Sequence, residues 1–365
     1  LYIHIGAPKT GTTALQFFLA QNRQALKAKG FLYPGSDPTH LDICTVLPKD
    51  IPIGIEGCPR TAVPRYLAEI RRSPCHTYIL SAEYLAFTGN AEVLRELIPT
   101  STAVRIVYYA RRQDFLIESY YNQQMKSHLH WVKKRLDEVP LSRIYSKLFF
   151  DHSRVITPWA DLFGKENIIV RCYEKQQMQG DSIRDFAQVI GLSLDDTFSF
   201  PKDRFNISMD MHHLEFIRLC NKAFLNNPEV IDFVFNNRLI YHSRIFENLP
   251  KRNLLSPEIR NEILDHYEES NRTIARDYLG RADDRLFYEP RPDPGELYEP
   301  YPGLSINELA PIVTEMITNM DLQQEQIEPL ATLLKPLNRI AKIAAGILPG
   351  AIRRAVAEKA DALNW

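Results

Sequence analysis

Residues 4–13, "HIGAPKTGTT", close a short apolar run, "LYIHIGA" (1–7), and open a stretch with apolar residues at Leu15, Phe18, Leu19 and Leu26 before Gly30. A strand, a tight loop, an amphipathic helix and a glycine that closes it is the reading that decides the fold. Gly6 and Gly11 keep the spacing of a triphosphate-cradling loop, G-x-x-x-x-G-K-[ST], yet Thr12 and Thr13 follow the second glycine and Lys9 precedes it. Backbone N–H groups of the turn, the positive end of a helix dipole, two hydroxyls and one ammonium together suit a phosphate-like anion. The plainer alternative is a strand-to-helix turn in which Thr12 or Thr13 only caps the helix. Such a turn has no need of Gly, Lys, Gly and paired Thr together.

Working outward, β-like runs recur at "GFLYP" (30–34), "TYILSAE" (77–83), "VRIVYYAR" (104–111) and "NIIVRCYE" (167–174), with helical stretches such as "NAEVLRELI" and "RQDFLIESYYNQQMKSH" between them. Alternating strands and helices predict an α/β fold: a three-layer α/β/α arrangement of the phosphate-loop type around a central parallel sheet. Ligands of such sheets lie at the carboxyl ends of the strands, where the opening loop falls. From Met209 to Ala282 the pattern is helical. "YEPRPDPGELYEPYPGLS" (288–305) then carries five prolines and reads as a linker or a surface strap. The expected organisation is a nucleotide-binding domain over 1–287, the Pro-rich linker over 288–305 and a helical tail over 306–365.

The 365 residues hold 44 Lys+Arg against 45 Asp+Glu, so the overall charge gives no reason to expect nucleic acid as a partner, and any anion site is local. Five scattered cysteines without a C-x-x-C pair predict reduced thiols in a cytoplasmic compartment and no zinc site. No run of about 18 apolar residues and no charged-then-apolar leader occurs, which predicts a soluble chain; it opens at Leu1, not Met, so residues upstream are open. Asn206-Ile-Ser208 and Asn271-Arg-Thr273 fit the glycosylation sequon, a pattern that recurs by chance at this length. His212 and His213 lack ligand-spaced partners and read as ordinary helix residues.

The second informative stretch is "VRIVYYARRQDFLIESYYNQ" (104–123), a strand running into a helix. Arg111 and Arg112 at the junction supply bidentate donors suited to a dianionic phosphate, and Ser119, two turns on, shares their side of the helix. With this in hand, the chain resembles the sulfotransferases that use 3′-phosphoadenosine 5′-phosphosulfate (PAPS). Their 5′-phosphosulfate loop, P-K-[ST]-G-T-[TS], stands here as Pro8-Lys9-Thr10-Gly11-Thr12-Thr13, and their 3′-phosphate motif as Arg111 and Ser119 followed by Tyr120 and Tyr121. A later strand ending in Tyr-Glu, whose Tyr lies near the adenine in many members, is matched by Tyr173 and Glu174. The resemblance covers roughly residues 1–290, in a style similar to bacterial members acting on carbohydrates. Ala14 stands where small-molecule members carry a Trp, and no R-K-G motif appears; Arg204 is a candidate for the missing 3′-phosphate contact by position.

The resemblance implies PAPS as co-substrate, adenosine 3′,5′-bisphosphate (PAP) as product, no required metal, and transfer to a hydroxyl or amine of a carbohydrate acceptor such as a polysaccharide or glycolipid. Lys9 would neutralise the leaving group, and an acceptor hydroxyl needs a general base. Glu83, after the buried strand "TYILS", and His40, in the loop "SDPTHLDI", are the two candidates, with Ser81 as a residue orienting the base or the sulfuryl group. "MKSHLHWVKKRLDE" (125–138) interleaves cations with Trp131, which would suit an anionic glycan or simply a solvated helix end. The tail repeats apolar residues at Leu333, Leu337, Ile340, Ala344 and Ile347 with Lys335, Arg339 and Lys342 on other faces. That basic amphipathic helix would pack on the domain, on a second copy, or on the inner face of a membrane. Two other readings compete: a nucleotide kinase or triphosphatase, and a nucleotide-binding scaffold without catalysis.

Overall fold

The computed structural model describes residues 1–45, 58–87, 89–126, 134–201, 209–223, 253–305, 307–308 and 312. Arg204, the sequon at 206–208, His128, His130, Trp131 and Lys133, and the apolar repeat of 333–348 lie outside these residues. Among the described residues five parallel strands form one sheet: β1 (Tyr2–His4), β2 (Phe31–Leu32), β3 (Thr77–Ser81), β4 (Arg105–Ala110) and β5 (Ile168–Cys172), in the order β2-β3-β1-β4-β5. Ile3 is in register with Leu80 on one side and Ile106 on the other. Each strand falls inside a run that sequence patterning marks, and the α/β fold is the one expected.

The strands are covered on both faces, which is why they read as continuous apolar runs and not as alternations. Ile106 to Ala110 are all fully buried or nearly so. Alternate side chains go to opposite layers. Val107 and Tyr109 join a core with Leu15, Phe18 and Leu19 of α1 (Thr12–Gln21) and Ile183 and Phe186 of the helix Ser182–Val189. Tyr108 instead bonds His152 of the helix His152–Phe163. The helices of the described residues continue with α2 (Arg23–Ala28), α3 (Pro59–Arg72), α4 (Asn90–Leu97), α5 (Gln113–Lys126), α6 (Leu141–Tyr145), α7 (His152–Phe163), α8 (Ser182–Val189), α9 (Met211–Ala223) and α10 (Pro257–Leu279).

The stretch expected as one helix after the loop is two, α1 and α2, parted at Asn22. The Asn22 amide donates to Phe18 O (2.9 Å) and Ser199 O (2.8 Å) and accepts from Ser199 N–H (2.8 Å). A side chain that binds backbone in this way competes with the helical ladder. Asn271 is buried and exchanges hydrogen bonds with Gln113 at 2.8 and 3.0 Å, so the second sequon is an internal contact.

Contacts divide the chain into two compact units, one of residues 1–120, 140–206 and 257–296, the other of 121–139, 207–256 and 297–365. The first holds the sheet. Within it, residues 286–290 are pinned to β5 and its exit: Cys172 Sγ–H donates to Leu286 O at 3.2 Å, and Tyr288 and Glu289 N–H donate to the Glu174 carboxylate. In the second unit, α9 is held at its start by Asp210, which pairs with His212 and His213. Among the described residues, no helix is long and apolar enough to cross a membrane.

Candidate functional site

Strand order reverses at β1: the chain goes from β1 to one side for β2 and β3, then crosses to the other for β4 and β5. Ligands of open parallel sheets lie beyond the carboxyl ends of the strands at such a point. The loop of residues 6–13 occupies it. Ala7 N–H donates to Tyr109 O (3.1 Å), and Tyr109 N–H donates to Gly6 O (2.8 Å), tying the loop to β4. A Cβ on Gly6 would meet Glu83 O at 3.0 Å, so the loop also abuts the exit from β3.

Gly11 has φ +80°, and a Cβ there would lie 2.6 Å from Ser182 Oγ and 3.5 Å from the Tyr173 ring. Only glycine leaves that cradle open. Lys9 is left-handed too, at φ 67°. For a lysine that costs roughly 1–2 kcal/mol, a strain that concentrates at functional sites. The Thr10 hydroxyl donates to Ala7 O at 2.6 Å, and the Thr12 hydroxyl lies between Ala7 O, at 3.4 Å, and the Glu83 carboxylate. Both threonines are buried and shape the loop; Pro8 is buried, and Lys9 and Thr13 are half-buried.

Glu83 stands two residues past the end of β3 and opens a 3₁₀ turn, Glu83–Ala86. Burial pushes its carboxyl above the usual carboxylate range, against the pull of the Lys9 ammonium and the Thr12 hydroxyl. Burial conversely lowers Lys9, opposed by Glu83 and reinforced by Arg111. The two groups thus feel each other's charge, in surroundings that move both toward neutrality.

Arg111 reaches the same loop from the end of β4. Its Nη1 donates to Lys9 O at 2.6 Å, and its Cζ lies 5.6 Å from the centroid of the Tyr173 ring. Tyr173 is set by its N–H bond to Ala110 O at 2.6 Å. Ser119 is half-buried on α5, on the helix that follows this junction. The structure therefore gathers Lys9, Gly11, Thr12, Glu83, Arg111 and Tyr173 at one edge.

Other expectations are corrected. Arg112 is not a second anion donor: it is buried, paired with Asp114 at 2.9 Å through two nitrogens, and it donates to Glu289 O and Pro290 O. Asp114 also takes Arg260, which the sequence could not bring near. Ser81 is fully buried, and its hydroxyl is engaged by His4 (2.8 Å) and Gln16 (3.3 Å), so it faces away from ligand. His40 is no loop-surface histidine. It is fully buried between Tyr33 and Tyr66, accepts from Ser81 N–H at Nδ1 and lies 2.9 Å from Pro34 O at Nε2. Burial pushes it down to about 4, and a neutral ring with both nitrogens committed has no lone pair to offer an acceptor. The orientation of Arg111 depends on a residue that the sequence reading missed. His152 Nε2 lies 2.9 Å from Arg111 O and its Nδ1 2.7 Å from the Tyr108 hydroxyl; since a carbonyl only accepts, Nε2 carries the proton and Nδ1 accepts from Tyr108. No motif marks this residue; its place at the start of α7 carries the signal.

No group of three or more His, Cys, Asp and Glu among the described residues is placed to hold a metal ion. No protein-family model matches the chain. An uncharacterized protein of Archaeoglobus fulgidus is 28% identical over 180 residues, a match covering 48% of this chain and 46% of that one, so the chain spans under half the length of this curated relative. The crystal structure of a sulfotransferase from Alicyclobacillus acidocaldarius aligns over 64% of this chain and 95% of its own, at 16% identity and a TM-score of 0.33.

Proposed function

We propose that the chain transfers the sulfuryl group of PAPS to a hydroxyl of a carbohydrate acceptor, releasing PAP. The observation that carries this reading is the gathering at one sheet edge of a loop whose Lys9 carbonyl is held by Arg111 and of Glu83, which abuts that loop at Gly6 and Thr12. Backbone N–H groups of residues 9–13, with the Thr13 hydroxyl and the Lys9 ammonium, would hold the 5′-phosphosulfate, Arg111 and Ser119 the 3′-phosphate, and Tyr173 the adenine. Glu83 takes the acceptor proton as the hydroxyl oxygen bonds to sulfur. The sulfur–oxygen bond to the 5′-phosphate breaks with its electron pair on the phosphate oxygen, where Lys9 meets the new charge. Sulfuryl and phosphoryl transfer make the same demands for in-line placement and charge stabilisation.

One observation favours the kinase or triphosphatase reading. The sequence shows no clear acidic strand end for Mg²⁺, yet folding brings Glu83 to the Thr12 hydroxyl, and a loop Thr with a strand-end carboxylate is how such enzymes hold the metal. Lys9 beside Glu83 already supplies a cation there, which supports sulfuryl transfer. The deciding experiment offers labelled PAPS with a panel of polysaccharides and lipid-linked sugars, and in parallel ATP with Mg²⁺. Label on a glycan supports the proposal; Mg²⁺-dependent ATP turnover with no sulfation overturns it.

A further inference from the structure

A cavity of about 170 Å³ opens between α4 and α7, walled by Phe87, Leu148, Phe149, Val155, Pro158 and Trp159. None of the residues gathered at the carboxyl edge lines it; it meets that edge along the chain, through the turn that Glu83 opens. Ala86, the last residue of the turn that Glu83 opens, and Phe87, which follows it, line the cavity, and at about 2 Å per residue that turn sets Ala86 roughly 6 Å from Glu83. Its other wall, α7, starts at His152, the residue bonded to Arg111 O. Both walls therefore descend from the carboxyl edge of the sheet.

The lining is apolar and aromatic. Phe87 packs on Tyr84 at 5.7 Å and on Phe149 at 5.1 Å, and Phe149 on Tyr120 at 4.9 Å. Trp159 is almost fully buried at the base, whereas Leu148 is 44% exposed at the mouth. The two charged lining residues, Glu92 and Arg154, are solvent-facing, and Arg154 is drawn to Asp151 at 3.5 Å. Apart from the indole N–H of Trp159, the interior side chains carry no donor for a sugar's hydroxyls. The volume matches one ring: a cavity of about 150 Å³ lined by Leu, Ile and Phe accepts benzene.

We infer that this cavity seats one ring-sized apolar group carried by the acceptor, adjoining the hydroxyl that Glu83 serves, an inference that rests on the sulfuryl-transfer reading. The preferred acceptor is then a glycoside with an aryl-like substituent.

The test is calorimetric titration of the whole chain, with PAP present, by 4-nitrophenyl and methyl β-galactoside. The aryl glycoside is expected to bind roughly tenfold tighter, a modest share of what burying a ring yields. Val155→Phe, which fills the cavity, and Leu148→Glu, which charges its exposed mouth without touching the core, should both abolish that preference and leave PAP affinity unchanged. Equal affinities in the wild type overturn the inference, as does a preference that survives both variants. If Val155→Phe fails to fold, Leu148→Glu decides. Aryl preference without transfer from labelled PAPS overturns the sulfuryl-transfer reading and supports the cavity as a ring site.

Discussion

Glu83 and Glu174 each stand two residues beyond the end of a parallel strand, β3 and β5, and the fold uses them in opposite ways. Glu83 faces the loop, with Thr12 and Lys9 as its partners. Glu174 is 4% exposed and takes the backbone N–H groups of Tyr288 and Glu289, so it fastens the strap of 286–290. Neighbours in sequence divide the same way: Arg111 holds the loop, and Arg112 holds the strap through the carbonyls of Glu289 and Pro290. A charged group at a strand end serves ligand chemistry when its partners belong to the ligand loop. It serves stability when distant backbone claims it.

The sharpest way to break this comparison is Glu83→Gln. Loss of the proposed general base should cut kcat/KM for sulfation by about 10²- to 10⁴-fold, and Glu174→Gln should leave it nearly intact. The pH profile gives the sign independently. Activity should rise as Glu83 loses its proton, with the limb above the ordinary carboxylate range because burial raises that group. It should fall as Lys9 loses its proton, below the ordinary lysine range because burial lowers it. A wild-type profile without the acidic limb would remove Glu83 from the role of base.

Lys9→Ala should come next, with kcat down by about 10²- to 10³-fold, the usual value of a donor aimed at developing charge. Because that charge develops in the transition state, PAP affinity should change far less. Steady-state rates with an unaltered circular dichroism spectrum check this, and unchanged turnover would refute it.

The arginines sharpen the contrast at lower magnitude. Arg111→Ala should weaken PAP binding by about 1.5–3 kcal/mol, the value of a charged hydrogen bond, with little effect on the melting temperature. Arg112→Ala should do the reverse, since it leaves two strap carbonyls without their donor. Calorimetric binding and thermal melts on both variants decide the matter, and interchange of the two outcomes would collapse the distinction. The smallest effect belongs to Glu174→Gln: the side chain keeps its shape and one acceptor oxygen, so the loss should be about 1–2 kcal/mol of stability in denaturant melts.

Much of this was legible in sequence. The five strands announce themselves because a sheet buried on both faces demands unbroken apolar runs, and the loop because a left-handed turn against a neighbouring helix demands Gly11. The neutral, buried state of His40 was not legible. Its environment is made by Tyr33, Tyr66 and Ser81, up to 41 residues away, and nothing in "SDPTHLDI" records them. Ser81 and Arg112 misled for the same reason: their partners His4, Gln16 and the 289–290 carbonyls arrive only on folding.

By itself, then, the sequence determined the α/β layering, the phosphate-type loop and the presence of Arg111 beside it, because periodicity, glycine conformation and strand-to-helix junctions are local properties. Only the tertiary structure decided which charges face that loop. Burial and pairing depend on segments far apart in the chain, and they set Glu83 against Lys9 while turning His40, Ser81, Arg112 and Glu174 inward.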